Sequence, residues 1–285
     1  MKTAVVFGAG QIGAMVSRLL GGEYRVAAFA DNGAAKWGGS LAGLPVLSPE
    51  DGLRLQPDCV FLGVLDAERS GQMERQLRAL GYEGQVLRPD ALRIFDPRAA
   101  TMRLLAEQIR KEGVPGDAAE LGVFRGEFAA LINAALPDRA LLLFDTFEGF
   151  DVRDVETEQG LGFCGAKVGD FSETGEALVL SRLPHPERAE LYRGFFPESF
   201  APCRERRFCF VSIDADLYAP TSAALPVFFD RLEVGGALMI HDVNSTQFVG
   251  AGRAVEEFCR ERGLLPTPVC DLHGSVILRK QTPVT

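Results

Sequence analysis

Twice along this chain an apolar strand runs into a glycine turn and a helix, and the strand that follows ends in an aspartate. The first copy is TAVVFGAG, an amphipathic segment from about Gln11 to Leu20, then YRVAAFAD ending at Asp31. The second is DAAELGVFRG, the helical run EFAALINAAL, then LLLFD ending at Asp145. A helix between two strands lets them lie parallel in one sheet, so each copy predicts a parallel sheet covered by helices. A chain of 285 residues is comfortable for two such domains. The expected fold class is α/β, two Rossmann-like parallel-sheet domains in series over 1–95 and 117–285. A connecting helix is expected over 96–116, with Met102, Leu105 and Ile109 at helical spacing, Pro97 at its start and Gly113 at its end.

Composition narrows the function classes. A formal net charge of −9 without clustered Lys and Arg argues against a nucleic-acid surface. No apolar run approaches membrane-spanning length, and the N-terminus enters a strand without the pattern of a signal peptide. The six cysteines, Cys59, Cys164, Cys203, Cys209, Cys259 and Cys270, include no C-x-x-C pair, and several fall in apolar runs, as reduced core thiols do. A cytoplasmic protein that handles a small molecule is expected. Arg204, Arg206 and Arg207 read as a solvated turn, and His185 and His273 as loop residues.

In the first domain, Gly8, Gly10 and Gly13 form G-x-G-x-x-G between strand and helix, with Asp31 about 20 residues on. Such glycines admit a pyrophosphate at the helix N-terminus, and the acid binds ribose hydroxyls. A dinucleotide, a nucleotide-sugar, or no ligand with the glycines serving only tight packing are all compatible with that pattern. No Tyr-x-x-x-Lys pair follows, so hydride-transfer chemistry lacks its machinery.

In the second domain, E-L-G-V-F-R-G carries Glu120 and Gly122 out of a strand and Gly126 into a helix. This spacing suits S-adenosylmethionine better than pyrophosphate: glycines admit its amino-acid end and nearby acids face its positive charges. Asp145 is positioned for a ribose diol, or is a surface acid in a βα loop. Further on, FCFVSIDADLYAPT and GGALMIHDVNS read as adjacent parallel strands that deliver Asp214, Asp216, His241 and Asp242 to one sheet edge. Asp214, His241 and Asp242 would form a divalent-metal site with positions open for two substrate oxygens. Asp216 is either part of that cluster or the cap of the helix near Pro220, and His241 is either a ligand or a hydrogen-bonded core histidine. Phe147, Phe150, Phe163, Phe195 and Phe196 belong either to the core or to an apolar acceptor pocket.

The ordered blocks ELGVFRGEFAALIN, LFDTFEGF, GDFSET, FVSIDADLYAPT and GGALMIHDVNS resemble the macrocin O-methyltransferase family over about residues 97 to 280. The resemblance implies a class I methyltransferase fold that uses S-adenosylmethionine and a divalent cation, usually magnesium, to methylate a sugar hydroxyl of a glycosylated natural product, a nucleotide-sugar or a glycan, and a homo-oligomer, dimer or larger. It places Glu120, Gly122 and Gly126 around the methionine part and Asp145 at the ribose. Asp214 is implied as metal ligand and general base, with His241 and Asp242 completing the site. Macrolide-sugar members of the family carry two adjacent aspartates where this chain has His241 and Asp242, which admits manganese or another transition ion beside magnesium. The first domain, through VFGAGQIG, AAFADN and LPVLSPED, resembles nucleotide-sugar-binding domains of sugar acyltransferases and polysaccharide-biosynthesis enzymes. Two alternatives remain from other classes: an NAD(P)-dependent oxidoreductase built on Gly8, Gly10, Gly13 and Asp31, and a non-catalytic nucleotide-sugar-binding protein.

Overall fold

The computed structural model describes residues 2–20, 24–89, 96–163, 165–245, 247–271 and 274–281. Cys164 and His273 lie outside the described residues. The chain divides into two compact units, Met1–Asp96 and Pro97–Thr285.

Unit 1 is built from β1 (Lys2–Phe7), α1 (Gln11–Leu19), β2 (Tyr24–Ala30), β3 (Ser40–Leu41), β4 (Leu44–Leu47), α2 (Pro49–Arg54), β5 (Cys59–Leu62), α3 (Ala67–Ala79) and β6 (Gln85–Leu87). The sheet order is β3-β4-β2-β1-β5-β6, parallel except for the short β3/β4 pair. Strand alternation splits the core between its faces: Val6, Phe29 and Phe61 pack on one, Val5, Phe7 and Val60 on the other.

Unit 2 runs α4 (Pro97–Glu112), β7 (Asp117–Leu121), α5 (Glu127–Ala135), β8 (Leu141–Asp145), α6 (Val152–Gly160), α7 (Glu176–Arg182), β9 (Ala189–Arg193), β10 (Phe208–Ile213), α8 (Tyr218–Arg231), β11 (Leu232–Ile240), α9 (Val249–Arg262), β12 (Thr267–Pro268) and β13 (Val276–Arg279). Its sheet order is β12-β13-β11-β10-β7-β8-β9, with β13 antiparallel to β11, β12 antiparallel to β13, and the other pairs parallel. The chain winds outward from β7 through β8 to β9, then returns to the other side of β7 at β10. That reversal opens a crevice between the C-terminal ends of β7 and β10, where open α/β sheets bind ligands.

The helix expected over 96–116 is α4, Pro97–Glu112, and it falls within unit 2. Met102, Leu105, Ala106 and Ile109 of α4 are buried in unit 2's own core with Ala118, Phe210 and Met239. Their spacing matches a helix with one apolar face, and that face is covered by the sheet it precedes. Among the described residues, no helix is long and apolar enough to cross a membrane.

Candidate functional site

Gly122 leaves β7 at φ 81°, and a Cβ there would stand 1.9 Å from the carbonyl oxygen of Asp214. Only glycine lets the two backbones approach this closely, so the turn after β7 and the end of β10 are locked together. Asp214 N donates to Leu121 O at 2.8 Å and His241 N to Ile213 O at 2.9 Å, which aligns the exits of β7, β10 and β11. The side chains of Asp214 and of His241 and Asp242 therefore emerge side by side.

Their donor atoms lie within 4.8 Å of one another. His241 Nδ1 is 2.9 Å from Asp214 Oδ1 and 2.7 Å from Asp242 Oδ2, while Arg98 of α4 donates to Asp214 Oδ2 at 2.8 Å and to Ser212 Oγ at 3.2 Å. Burial opposes charge on His241, but bonding to the two carboxylates outweighs it and lifts the imidazole to about 9. Burial likewise raises Asp214, yet the charges of Arg98 and His241 prevail and hold its carboxyl below the usual carboxylate range. Protonated, His241 Nδ1 would donate to the two carboxylates; deprotonated, the same three side chains would be free to hold a cation. Two carboxylates and an imidazole converging this closely fit a divalent ion of borderline hardness.

Asp216 points into the same region. Burial and the neighbouring charges of Asp214 and Asp242 push its carboxyl well above the normal range. Both Asp216 and Asp242 hold left-handed backbone, at φ 58° and 59°, strain of a kind that clusters at functional sites. The helix-cap alternative for Asp216 is corrected: the N-cap of α8 is Leu217, without a side-chain cap, and Glu158 Oε2 accepts the Tyr218 amide instead at 2.7 Å. Glu158 comes from α6, so no local spacing signalled it.

Asp145, at the tip of β8, accepts the amides of Val123 and Phe124 at 2.7 and 2.9 Å through Oδ2, and that of Phe147 at 2.7 Å through Oδ1. It holds the glycine turn as well as lining the cavity. Gly126 is the N-cap of α5, and a Cβ there would press on Val179 at 3.1 Å. Glu120 departs from its expected place. It is 1% exposed and shares its strand face with Ala118, below the cavity near Arg98 and Ser212 rather than lining it. Burial first, then the charges of Asp214 and Asp145, drive its carboxyl well up despite Arg98.

The cavity over this sheet edge has a volume of about 660 Å³ and is lined by Gly122, Asp145, Asp214, Asp216, His241 and Asp242 among others. Of the expected aromatics, Phe150 and Phe196 line it, whereas Phe147 is in the core and Phe195 lies under the Arg153 guanidinium at 3.5 Å. Phe163 packs against Tyr218. Phe124, Phe171 and Phe248, which the sequence did not single out, complete the apolar wall. Of the basic run, Arg206 is no solvated turn residue: it pairs with Asp117 at 2.8 Å and Glu190 at 3.0 Å.

In unit 1 the glycines serve close packing. A Cβ on Gly13 would sit 1.9 Å from Gly8 O, and one on Gly63 2.6 Å from the same atom. Gly10 is open, with nothing within 4 Å of a Cβ. Asp31 is engaged internally: Oδ2 takes the Ala9 amide at 2.7 Å and Lys36 Nζ at 2.8 Å, and Oδ1 takes the Gly33 amide at 2.8 Å. Burial would raise it, but Lys36 and the two amides together keep it below its ordinary value.

The strand order of unit 2 and a cavity at its switch point define a class I methyltransferase fold. The chain belongs to the macrocin-O-methyltransferase (TylF) family, whose model matches residues 92–280, and by that membership it is an O-methyltransferase. Among similar proteins, the 8-demethyl-8-(2,3-dimethoxy-alpha-L-rhamnosyl)-tetracenomycin-C 4'-O-methyltransferase of Streptomyces olivaceus is 25% identical over 199 residues, covering 65% of this chain and 73% of that one. Mycinamicin III 3''-O-methyltransferase of Micromonospora griseorubida is 25% identical over 159 residues, covering 51% and 62% respectively. Of solved structures, the O-methyltransferase NovP superposes with a TM-score of 0.54 at 21% identity, over 65% of this chain and 80% of NovP. CalS11, the calicheamicin methyltransferase, gives 0.53 at 20% identity, over 76% and 94%.

Proposed function

We propose that this chain transfers the methyl group of S-adenosylmethionine to a sugar hydroxyl of a glycosylated small molecule, with a divalent cation held by Asp214, His241 and Asp242. One observation carries the reading: the Gly122 turn, Asp145 and the Asp214, His241 and Asp242 cluster all face one cavity at the switch point of the second sheet. Both relatives named above are, by name, O-methyltransferases, one of a rhamnosyl-bearing tetracenomycin and one of mycinamicin III, which supports a glycosylated acceptor here.

The methionine end of the cofactor is assigned to the Gly122 turn, leading to Gly126, and its ribose to Asp145. A carboxylate has about four lone-pair sites, so Asp145 retains capacity for a ribose hydroxyl while holding the turn. Glu120 acts from below, shaping the turn instead of touching the cofactor. A magnesium or manganese ion held by Asp214, His241 and Asp242 would supply Lewis acidity that makes a sugar hydroxyl at the site easier to deprotonate. Asp214 is assigned as the base for that hydroxyl; Arg98 holds its Oδ2 at 2.8 Å, and its Oδ1, which faces His241 Nδ1 at 2.9 Å, is the oxygen left to serve the cation and the acceptor.

Six carboxyl side chains line the cavity and no Lys or Arg does among the described residues, which supports a neutral glycoside over a nucleotide-linked sugar as acceptor. The open Gly10 backbone favours, as a second and separate site, a nucleotide or nucleotide-sugar on unit 1 at Gly8, Gly10 and Gly13; Asp31 would have to release Lys36 or accept a further bond to take part. A dinucleotide oxidoreductase has no comparable support. The buried thiols Cys203, Cys209 and Cys259 suit a reducing cytoplasm.

Isothermal titration of the metal-stripped protein with S-adenosylmethionine, repeated with magnesium and manganese, tests this reading. Micromolar binding, together with an Asp214→Asn variant that binds the cofactor but does not methylate glycosides, is expected. Absence of S-adenosylmethionine binding in the intact protein would refute it.

A further inference from the structure

Asp154 is a buried carboxyl with one oxygen that has no hydrogen-bond partner among the described residues. It lies on α6, is 7% exposed, and lines the cavity. Its Oδ1 is sealed from solvent with no hydrogen-bond partner among the described residues. Native proteins satisfy nearly all such buried atoms, so an unsatisfied one asks for an explanation.

Folding does not provide that explanation. The N-cap of α6 is Asp151, whose side chain accepts from the Arg153 amide, so the helix start needs no second acid. The nearby cation is committed elsewhere, since Arg153 Nε and Nη2 grip Asp151 at 2.9 and 3.0 Å. Glu158, one turn on, gives its Oε2 to the Tyr218 amide. The apolar anchor of α6 is Val155, which packs with Leu217, Ala166 and Phe248. A leucine at 154 would satisfy helix and core alike, yet a carboxyl is there. Burial first, then the charge of Asp151, raises it to about 7, so near neutrality it is available both as acceptor and as donor.

The charges that act on Asp154 are Asp151, Arg153 and Glu158, all on α6 or at its N-cap. The same cavity has an aromatic wall: Phe150 lies 5.2 Å from Phe171 and 5.9 Å from Phe248, ring centre to ring centre. A polar group set against an aromatic wall is the arrangement that reads a hydroxyl or amine on a ring stacked against that wall.

We infer that Asp154 is a specificity-determining residue that hydrogen-bonds an N–H or O–H donor of the bound ligand, a hydroxyl or amine of the glycoside acceptor in preference to the adenine amine of the cofactor. The inference rests on the methyltransferase reading of this cavity. It also makes Asp154 a group kept for binding at the expense of stability, which separates it from a structural residue.

The test uses the full chain with Asp154→Leu and Asp154→Asn. Thermal melting is read without ligand. S-adenosylhomocysteine affinity is read by titration. Binding of p-nitrophenyl α-L-rhamnoside in the presence of S-adenosylhomocysteine and magnesium gives the acceptor arm. The expected result is a melting temperature several degrees above wild type together with at least tenfold weaker glycoside binding and unchanged S-adenosylhomocysteine affinity. Should Asp154→Leu fail to fold, Asp154→Asn carries the same signs with a threefold loss. If the tenfold loss falls on S-adenosylhomocysteine, the donor is the adenine amine and the preference for the acceptor is overturned. A lower melting temperature in both variants, or a higher one with no Asp154-dependent change in either affinity, overturns the whole inference. Wild type that binds no S-adenosylhomocysteine would instead refute the methyltransferase reading, an outcome visible before any variant is compared.

Discussion

Replacing Arg98 with Met should be the most costly single loss of charge at the candidate site. The guanidinium bonds Asp214 at 2.8 Å and Ser212 at 3.2 Å and lies 3.9 Å above the Phe128 ring. Side-chain exposures are 11% for Arg98 and 23% for Asp214, so the pair is largely withdrawn from water. Removing one member of a buried pair costs roughly 3–5 kcal/mol, because the other charge stays behind. Asp214 keeps His241 at 2.9 Å and some solvent, which puts the expected cost near the lower bound, about 3 kcal/mol. For a domain of this size that is a drop of about 6–12 °C in melting temperature.

The cost also has a pH signature. The folded pKa of Asp214 lies below its unfolded value, so the stability it contributes is present above the ordinary carboxylate range and is lost as pH falls through the folded pKa. The deficit of Arg98→Met should thus be full at pH 7 and shrink in acid. Urea unfolding of wild type, Arg98→Met, Asp214→Asn and the double variant completes a cycle, with a coupling of at least about 1.5 kcal/mol expected. A loss below about 1 kcal/mol with no coupling to Asp214 would mean that the pair behaves like a solvated surface contact, and the positioning role of Arg98 would fall.

Gly122→Ala should prevent the β7 turn from closing, since its Cβ would overlap the Asp214 carbonyl 1.9 Å away; a soluble variant with wild-type melting would contradict this. Asp145→Ala releases the Val123 and Phe124 amides and should weaken S-adenosylmethionine at least tenfold by titration, whereas Asp145→Asn, which keeps an acceptor, should lose less. Asp154 has a folded pKa raised to about 7, so it destabilises progressively as pH rises from about 4 to 7. Asp154→Asn should match wild type near pH 4 and exceed it at pH 8 by at most about 4 kcal/mol, with Asp151, Arg153 and Glu158 as the charges that set the midpoint. Chelation should abolish methyl transfer and added magnesium or manganese restore it, while activity that survives exhaustive chelation would remove the cation from the mechanism.

Much of the site was legible in the chain because it is made of strand ends. A run such as FCFVSID or GGALMIHD states where its strand stops, and parallel pairing then brings Asp214, His241 and Asp242 together without further information. The Gly122 turn and Asp145 followed by the same logic. The burial of Glu120 was not legible, because strand alternation sets which face it points to and only the covering helix decides whether that face is open or closed.

Residues from other elements were invisible. Arg98 sits 116 positions from the aspartate it holds. Glu158 caps α8 from 60 residues away, where local reading offered Asp216 as the cap. Asp154 looks in sequence like any acid in the first turn of a helix, the commonest and blandest place for one. The sequence by itself therefore determined the two α/β sheets, their order along the chain and the acids at the second sheet's edge, since periodicity and turn chemistry are local properties of the chain. Only the tertiary structure decided which helix covers that edge, which charges are buried there and which of them lack a partner, because burial and pairing depend on neighbours that the chain supplies from far away.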